Sequence, residues 1–199
     1  MLANFSPSFI PFTSSFPSGN NNVSSFSPAI VPLYNNFEVG KDIIIDGFLT
    51  INDDIITYVS EEKPEGDFLE IDGIIAPGFI DIHCHTSIKN SAIDNPEEVA
   101  SFHLSHGTTT LLLSFYRDIP HKKLLKCLHA TKKAMTTCKN LYGAHLEGPS
   151  LNANLGFGIG ANNPSNRNDY IKYINTGIVR QWTCAPEIEG VDTFIKEIS

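Results

Sequence analysis

By the order of its hydrophobic and polar positions, the chain has three successive rhythms. Through Asn36 apolar residues are scattered among serines, prolines and the run Asn20-Asn21-Asn22 with neither a strand nor a helix period, and Pro7, Pro11, Pro17, Pro28 and Pro32 interrupt helix and ladder alike. Residues 1–36 are expected to be a disordered arm rich in Ser, Pro, Asn and Phe. From Phe37 short apolar runs follow, Ile43-Ile44-Ile45, Phe48 to Ile51 and Ile55 to Val59, separated by Asp46-Gly47 and Asn52-Asp53-Asp54. Turn residues between β-rich runs predict hairpins, so residues 37–76 read as part of a small antiparallel β domain.

After Asp72-Gly73 strand and helix patterns alternate. Ile74 to His83 predicts a buried strand. Pro96 to His106 predicts a helix, with Asn95 as its N-cap, Pro96 at the first helical position, Glu97 and Glu98 in the first turn and Gly107 past its end. Thr108 to Phe115 is a second strand, rich in β-branched and apolar residues. Pro120 to Lys139 is a helix with Leu124, Leu125, Leu128 and Met135 on one face and lysines around the rest, a solvated outer surface. Leu141 to Leu146, Asp169 to Ile174 and Val179 to Cys184 continue as strand, helix and strand, and a last helix starts at Asp192. Such alternation indicates an α/β fold built of parallel βα units.

Composition narrows the function classes. With 14 Lys+Arg against 22 Asp+Glu the net charge is −8, so nucleic acid and anionic membrane would be repelled at long range. No window approaches the ~20 apolar residues of a membrane span. The first charged residue is Glu38, so the arm lacks both the basic start of a secretory signal and the arginines of a transit peptide. Cys84, Cys127, Cys138 and Cys184 form no C-x-x-C pair. A reducing, cytoplasmic setting is expected.

Two strings carry chemistry. The first is Pro77-Gly78-Phe79-Ile80-Asp81-Ile82-His83-Cys84-His85. Side chains two apart share a strand face, so Asp81, His83 and His85 are expected to project to one side, with both imidazoles in reach of one divalent ion, as zinc prefers. A pair of hydrogen-bonded histidines at a strand end is the plainer alternative. The second string is Gly143-Ala144-His145-Leu146-Glu147-Gly148-Pro149-Ser150-Leu151-Asn152. It puts Glu147 at the carboxyl end of the third strand of the alternating part, where parallel βα folds place their sites. There a carboxylate ligates a metal or orients a metal-bound water. His145 shares the parity of Glu147 and so can support the same site. His103, His106, His121 and His129 stand outside any motif.

These strings, with His106-Gly107-Thr108-Thr109-Thr110 and Thr183-Cys184-Ala185-Pro186-Glu187, resemble the amidohydrolase superfamily and within it the N-acetylglucosamine-6-phosphate deacetylases, over roughly residues 40 to 199. The resemblance implies a small β-sandwich plus a (β/α)8 barrel that removes the acetyl group of N-acetylglucosamine 6-phosphate in amino-sugar catabolism. It implies Glu147, His83 and His85 as ligands of a divalent metal, zinc by preference, with Glu187 structural. Ala161 and Asn162 stand where the family contacts the sugar phosphate, although asparagine lacks the charge of the histidine usual there. Thr86 replaces the glycine that usually follows the histidine pair. A complete barrel takes about 250 residues, so residues 77–199 are expected to form its amino-terminal half, a partial (β/α)8 barrel of about four units. The family's general base is implied to lie beyond Ser199, leaving no catalytic residue assigned within the chain, which is expected to be truncated and weak alone. A second copy or a separately encoded carboxyl-terminal half would complete it. Two other readings stay open: an amidohydrolase acting on cyclic amides, and a non-catalytic half-barrel that pairs with a partner.

Overall fold

The computed structural model describes residues 29–30, 47–52, 55–63, 65–66, 77–148, 150–154, 156 and 166–198. The chain divides into two compact units, Met1–Pro77 and Gly78–Ser199. In the first, β1 (Ala29–Ile30), β2 (Phe48–Asn52) and β3 (Ile55–Ser60) form an antiparallel sheet in that order. The β2–β3 pairing is the hairpin predicted from the Asn-Asp turn residues, with Phe48 opposite Ser60 and Asn52 opposite Ile55. Gly47 precedes it where a Cβ would fall 2.3 Å from the Ser60 carbonyl oxygen, so only glycine permits that approach. Ala29 and Ile30 lie within the stretch expected to be unstructured and pair instead with Ile51 and Thr50. The rest of that arm, and Ile43 to Ile45, lie outside the described residues.

The second unit is a parallel sheet whose strands follow sequence order: β4 (Phe79–Cys84), β5 (Thr108–Tyr116), β6 (Leu141–Glu147) and β7 (Val179–Thr183). The helices α1 (Pro96–Ser105), α2 (His121–Ala134), α3 (Arg167–Ile174) and α4 (Val191–Ile198) alternate with them. In β5, Leu111 through Phe115 are all buried, as expected of a strand covered on both faces. Leu111, Leu113 and Phe115 join Val99 and Ala100 of α1, Leu124 and Leu128 of α2, and Leu141, Ala144 and Leu146 in one core. Leu112 and Ser114, of the opposite parity, point to the other face. Trp182 of β7, Tyr170 of α3 and Phe194 of α4 meet edge to face and clamp the last two helices to the sheet. Among the described residues β4 is an outer strand, with Phe79 and Ile80 about 70% exposed and Ile82 51%.

Several boundaries move from those expected. Asn95 caps α1 as predicted, its side chain accepting from the Glu98 N–H. The strand expected from Ile74 begins at Phe79. Pro77 and Gly78 stay outside it, Pro77 lacking an N–H for the ladder. The helix expected to reach Lys139 ends at Ala134, where the Thr136 and Thr137 N–H groups turn to the Lys133 and Ala134 carbonyls and their hydroxyls donate to the same oxygens.

Candidate metal centre

The site forms where β4 and β6 end. His83 lies in β4, His85 just beyond it, and Glu147 is the last residue of β6. One ligand atom from each lies within 4.8 Å of the others. His83 Nε2 and His85 Nε2 are 3.0 Å apart, and the Glu147 oxygens lie 3.6 Å from the first and 3.2 Å from the second.

Protons alone match this arrangement poorly. A neutral imidazole carries one N–H and a carboxylate carries none. If one Nε2 donates to the other, the acceptor has no proton left for Glu147. If both are protonated, two N–H groups face each other. A divalent cation removes the conflict by taking all three lone pairs. Two nitrogen or oxygen ligands at zinc's usual bond lengths sit about 3.3 Å apart in a tetrahedron, and the three separations here fall on either side of that value. The donor set therefore fits a divalent metal ion.

The surroundings hold these donors in place. Tyr116, at the end of β5, stacks on the His85 ring at 4.0 Å with planes 2° apart. Burial holds His85 below its usual imidazole value, reinforced by His83 and opposed by the Glu147 charge. Beneath them His145 is fully buried, its Nδ1 hydrogen-bonded to the Ser114 hydroxyl at 2.9 Å and its Nε2 to the Thr183 hydroxyl at 2.8 Å. Its ring meets His83 edge-on at 4.6 Å. Burial first, then the two neighbouring imidazoles, push His145 down to about 4. A neutral His145 thus supports the pair without adding a positive charge beside it.

The loop after β6 is fixed from several sides. Gly148 has φ +93°, and a Cβ there would fall 2.8 Å from the Arg117 Cβ. Its N–H donates to the Thr183 carbonyl, and its own carbonyl accepts from the Trp182 indole at 2.9 Å. Glu187 accepts from the Asn152 side chain at 2.7 Å and ties this loop to the one after β7.

Asp81 departs from expectation. The β4–β5 register shifts between Asp81 and Cys84, which breaks the strict two-residue alternation that would align Asp81 with the histidines. Its carboxylate instead groups with Cys84 and His103. Ala161 and Asn162 lie outside the described residues. The partner of Cys84 from α1, His103, carries no sequence signal, because a contact 19 residues apart obeys no local spacing rule.

No protein-family model matches the chain. A curated N-acetylglucosamine-6-phosphate deacetylase of Bacillus subtilis is 28% identical over 123 residues, which cover 55% of this chain and 31% of that protein. A solved N-acetyl-D-glucosamine-6-phosphate deacetylase variant of Mycobacterium smegmatis, in complex with N-acetyl-D-glucosamine-6-phosphate, matches 85% of this chain and 46% of its own, with TM-score 0.67 and 22% identity. The N-acetylglucosamine-6-phosphate deacetylase of Pasteurella multocida matches 79% of this chain and 45% of its own, with TM-score 0.64 and 20% identity. The structural likeness is one of fold. The chain spans about a third of the curated relative's length and under half of each solved one. The curated relative and both solved neighbours bear the name N-acetylglucosamine-6-phosphate deacetylase.

Proposed function

We propose that this chain supplies the first four βα units of a (β/α)8-barrel amide hydrolase that deacetylates N-acetylglucosamine 6-phosphate to glucosamine 6-phosphate and acetate. The observation that carries the reading is the convergence of His83, His85 and Glu147 at the carboxyl ends of parallel strands in a chain whose neighbours bear that name. His83, His85 and Glu147 would hold a divalent ion, zinc by preference, which would supply Lewis-acid polarisation of the acetamide carbonyl and a more acidic water.

The protein's part is to hold the donors. Glu147 turns one oxygen toward each imidazole, Tyr116 fixes the plane of His85, and His145 backs His83 from the sheet. Ala161 and Asn162 belong to this reading on sequence alone, as the contact for the sugar phosphate. The proton-transferring group comes with the rest of the barrel, from a carboxyl-terminal half. The free cysteines go with a cytoplasmic setting. Among the described residues no helix is long and apolar enough to cross a membrane.

The test is zinc titration followed by an assay of acetate release from N-acetylglucosamine 6-phosphate. The chain should bind zinc and release little acetate alone, and adding the carboxyl-terminal half of a deacetylase should raise turnover. Glu147→Gln and His83→Ala should each weaken zinc binding by more than about tenfold. Unchanged binding in both variants rejects the site, and fast turnover by the unaided chain rejects the partial barrel.

A further inference from the structure

The strand that presents His83 to Glu147 takes part in a second group of donors, which shares no residue with the first. Asp81 and Cys84 come from β4 and His103 from the last turn of α1, and one ligand atom of each lies within 4.8 Å of the others. Cys84 Sγ is 3.1 Å from His103 Nε2. The Thr86 carbonyl oxygen accepts from the His103 Nε2–H at 2.9 Å and from the Cys84 thiol at 3.6 Å, so a cation would replace these two protons. Asp81 is steadied by the His83 backbone N–H, which donates to its Oδ1 at 3.0 Å.

We propose that Asp81, Cys84 and His103, with the Thr86 carbonyl oxygen as a neutral fourth donor, form a second site for a zinc-class divalent cation at the seam between β4 and α1. The donor set combines a thiolate and an imidazole, which suit zinc and its borderline neighbours, with a carboxylate and a carbonyl that lower its selectivity for softer ions. Charge favours occupation as well. One carboxylate and one thiolate balance a dication, so a partly buried site ends neutral, where an unbalanced charge would be costly to desolvate. Zinc's usual bonds to sulfur and nitrogen put those atoms about 3.6 Å apart in a tetrahedron. The pair therefore has to open by about half an ångström, a small side-chain adjustment.

Other uses of the thiol fit less well. Cys84 is 5% exposed. A thiol closed off from solvent is out of reach of an incoming electrophile or disulfide. A dication takes the sulfur as thiolate. Binding then forms the metal–sulfur and metal–nitrogen bonds, releases the thiol proton to solvent and leaves the neutral His103 ring with its proton on Nδ1. This site stands apart from the deacetylase reading, since it uses none of that reading's metal ligands and its test measures no turnover.

Cobalt(II) separates the two groups, because only this one contains sulfur. Titration of the full chain with cobalt(II) chloride should raise a thiolate-to-cobalt charge-transfer band in the near ultraviolet. Cys84→Ser should abolish the band, and His103→Gln should weaken cobalt binding by more than about tenfold. Glu147→Gln should keep the band. Absence of a charge-transfer band from the parent chain, or its survival in Cys84→Ser, overturns the site. Should the serine variant lose its fold, the near-isosteric Asp81→Asn and His103→Gln decide: weakened cobalt binding in both supports the site, and parental affinity in both overturns it.

Discussion

Tyr116 lies flat on the His85 imidazole, ring centres 4.0 Å apart and planes within 2°. Stacking of this kind contributes about 0.5–1.5 kcal/mol beyond area burial. It also restricts the rotation that would carry His85 Nε2 away from Glu147. Tyr116→Ala should weaken zinc binding by about two- to tenfold, whereas Tyr116→Phe should bind like the parent. Isothermal titration of the three proteins checks this.

Gly148 combines a left-handed backbone with a space that a methyl group would overfill against Arg117. A non-glycine residue held at such a dihedral costs about 1–3 kcal/mol, and the crowding adds to it. Gly148→Ala should lower the urea midpoint and displace Glu147 by shifting its neighbour. Chemical denaturation and zinc titration of one variant should therefore report losses in both stability and affinity.

Asn95 satisfies a free N–H at the start of α1. Asn95→Ala should destabilise the chain by about 1 kcal/mol, while Asn95→Asp retains the cap and the favourable dipole. Denaturant unfolding of both variants distinguishes capping from mere loss of bulk.

Tyr173, buried on α3, hydrogen-bonds His121 Nδ1 at 2.8 Å, and burial followed by the Asp169 charge pushes its phenol up to about 12 from an ordinary 10. The folded chain therefore holds this proton more tightly than the unfolded chain. The contribution is complete below pH 10 and is lost as pH rises from 10 through about 12, a decline of at most about 3 kcal/mol. Tyr173→Phe should lack that part of the decline, so the stability gap between parent and variant changes between pH 10 and 12.

Much of the second unit was legible because its signals are local. Apolar runs mark β5 and β6, Asn95-Pro96 marks the start of α1, and the His-x-His spacing brings two imidazoles to one side of β4. The departures arise where distant residues decide. Asp81 follows the alternation rule only if the strand stays in register, and the shift against β5 turns it toward Cys84. The bonds that hold His145 join residues 31 and 38 positions apart, beyond any periodicity. The end of α2 lies where two threonines turn both N–H and hydroxyl to the last carbonyls. Helix propensity does not encode that turn.

β4, outermost of its sheet among the described residues, brings His83, and through the residue after it His85, toward Glu147 on a strand two places inward. Strands in that position are among the first to detach when a native protein opens locally. An ion held between β4 and β6 thus acts as a reversible cross-link across β5, and its binding free energy opposes the departure of one particular strand. At a hundredfold excess over Kd that amounts to about 2.7 kcal/mol. Amide hydrogen exchange in β4 should then slow by about a hundredfold on zinc addition, while exchange that proceeds through global unfolding should slow by no more than the same factor. Occupancy of the centre and attachment of its outer strand become one equilibrium, measurable backbone amide by backbone amide.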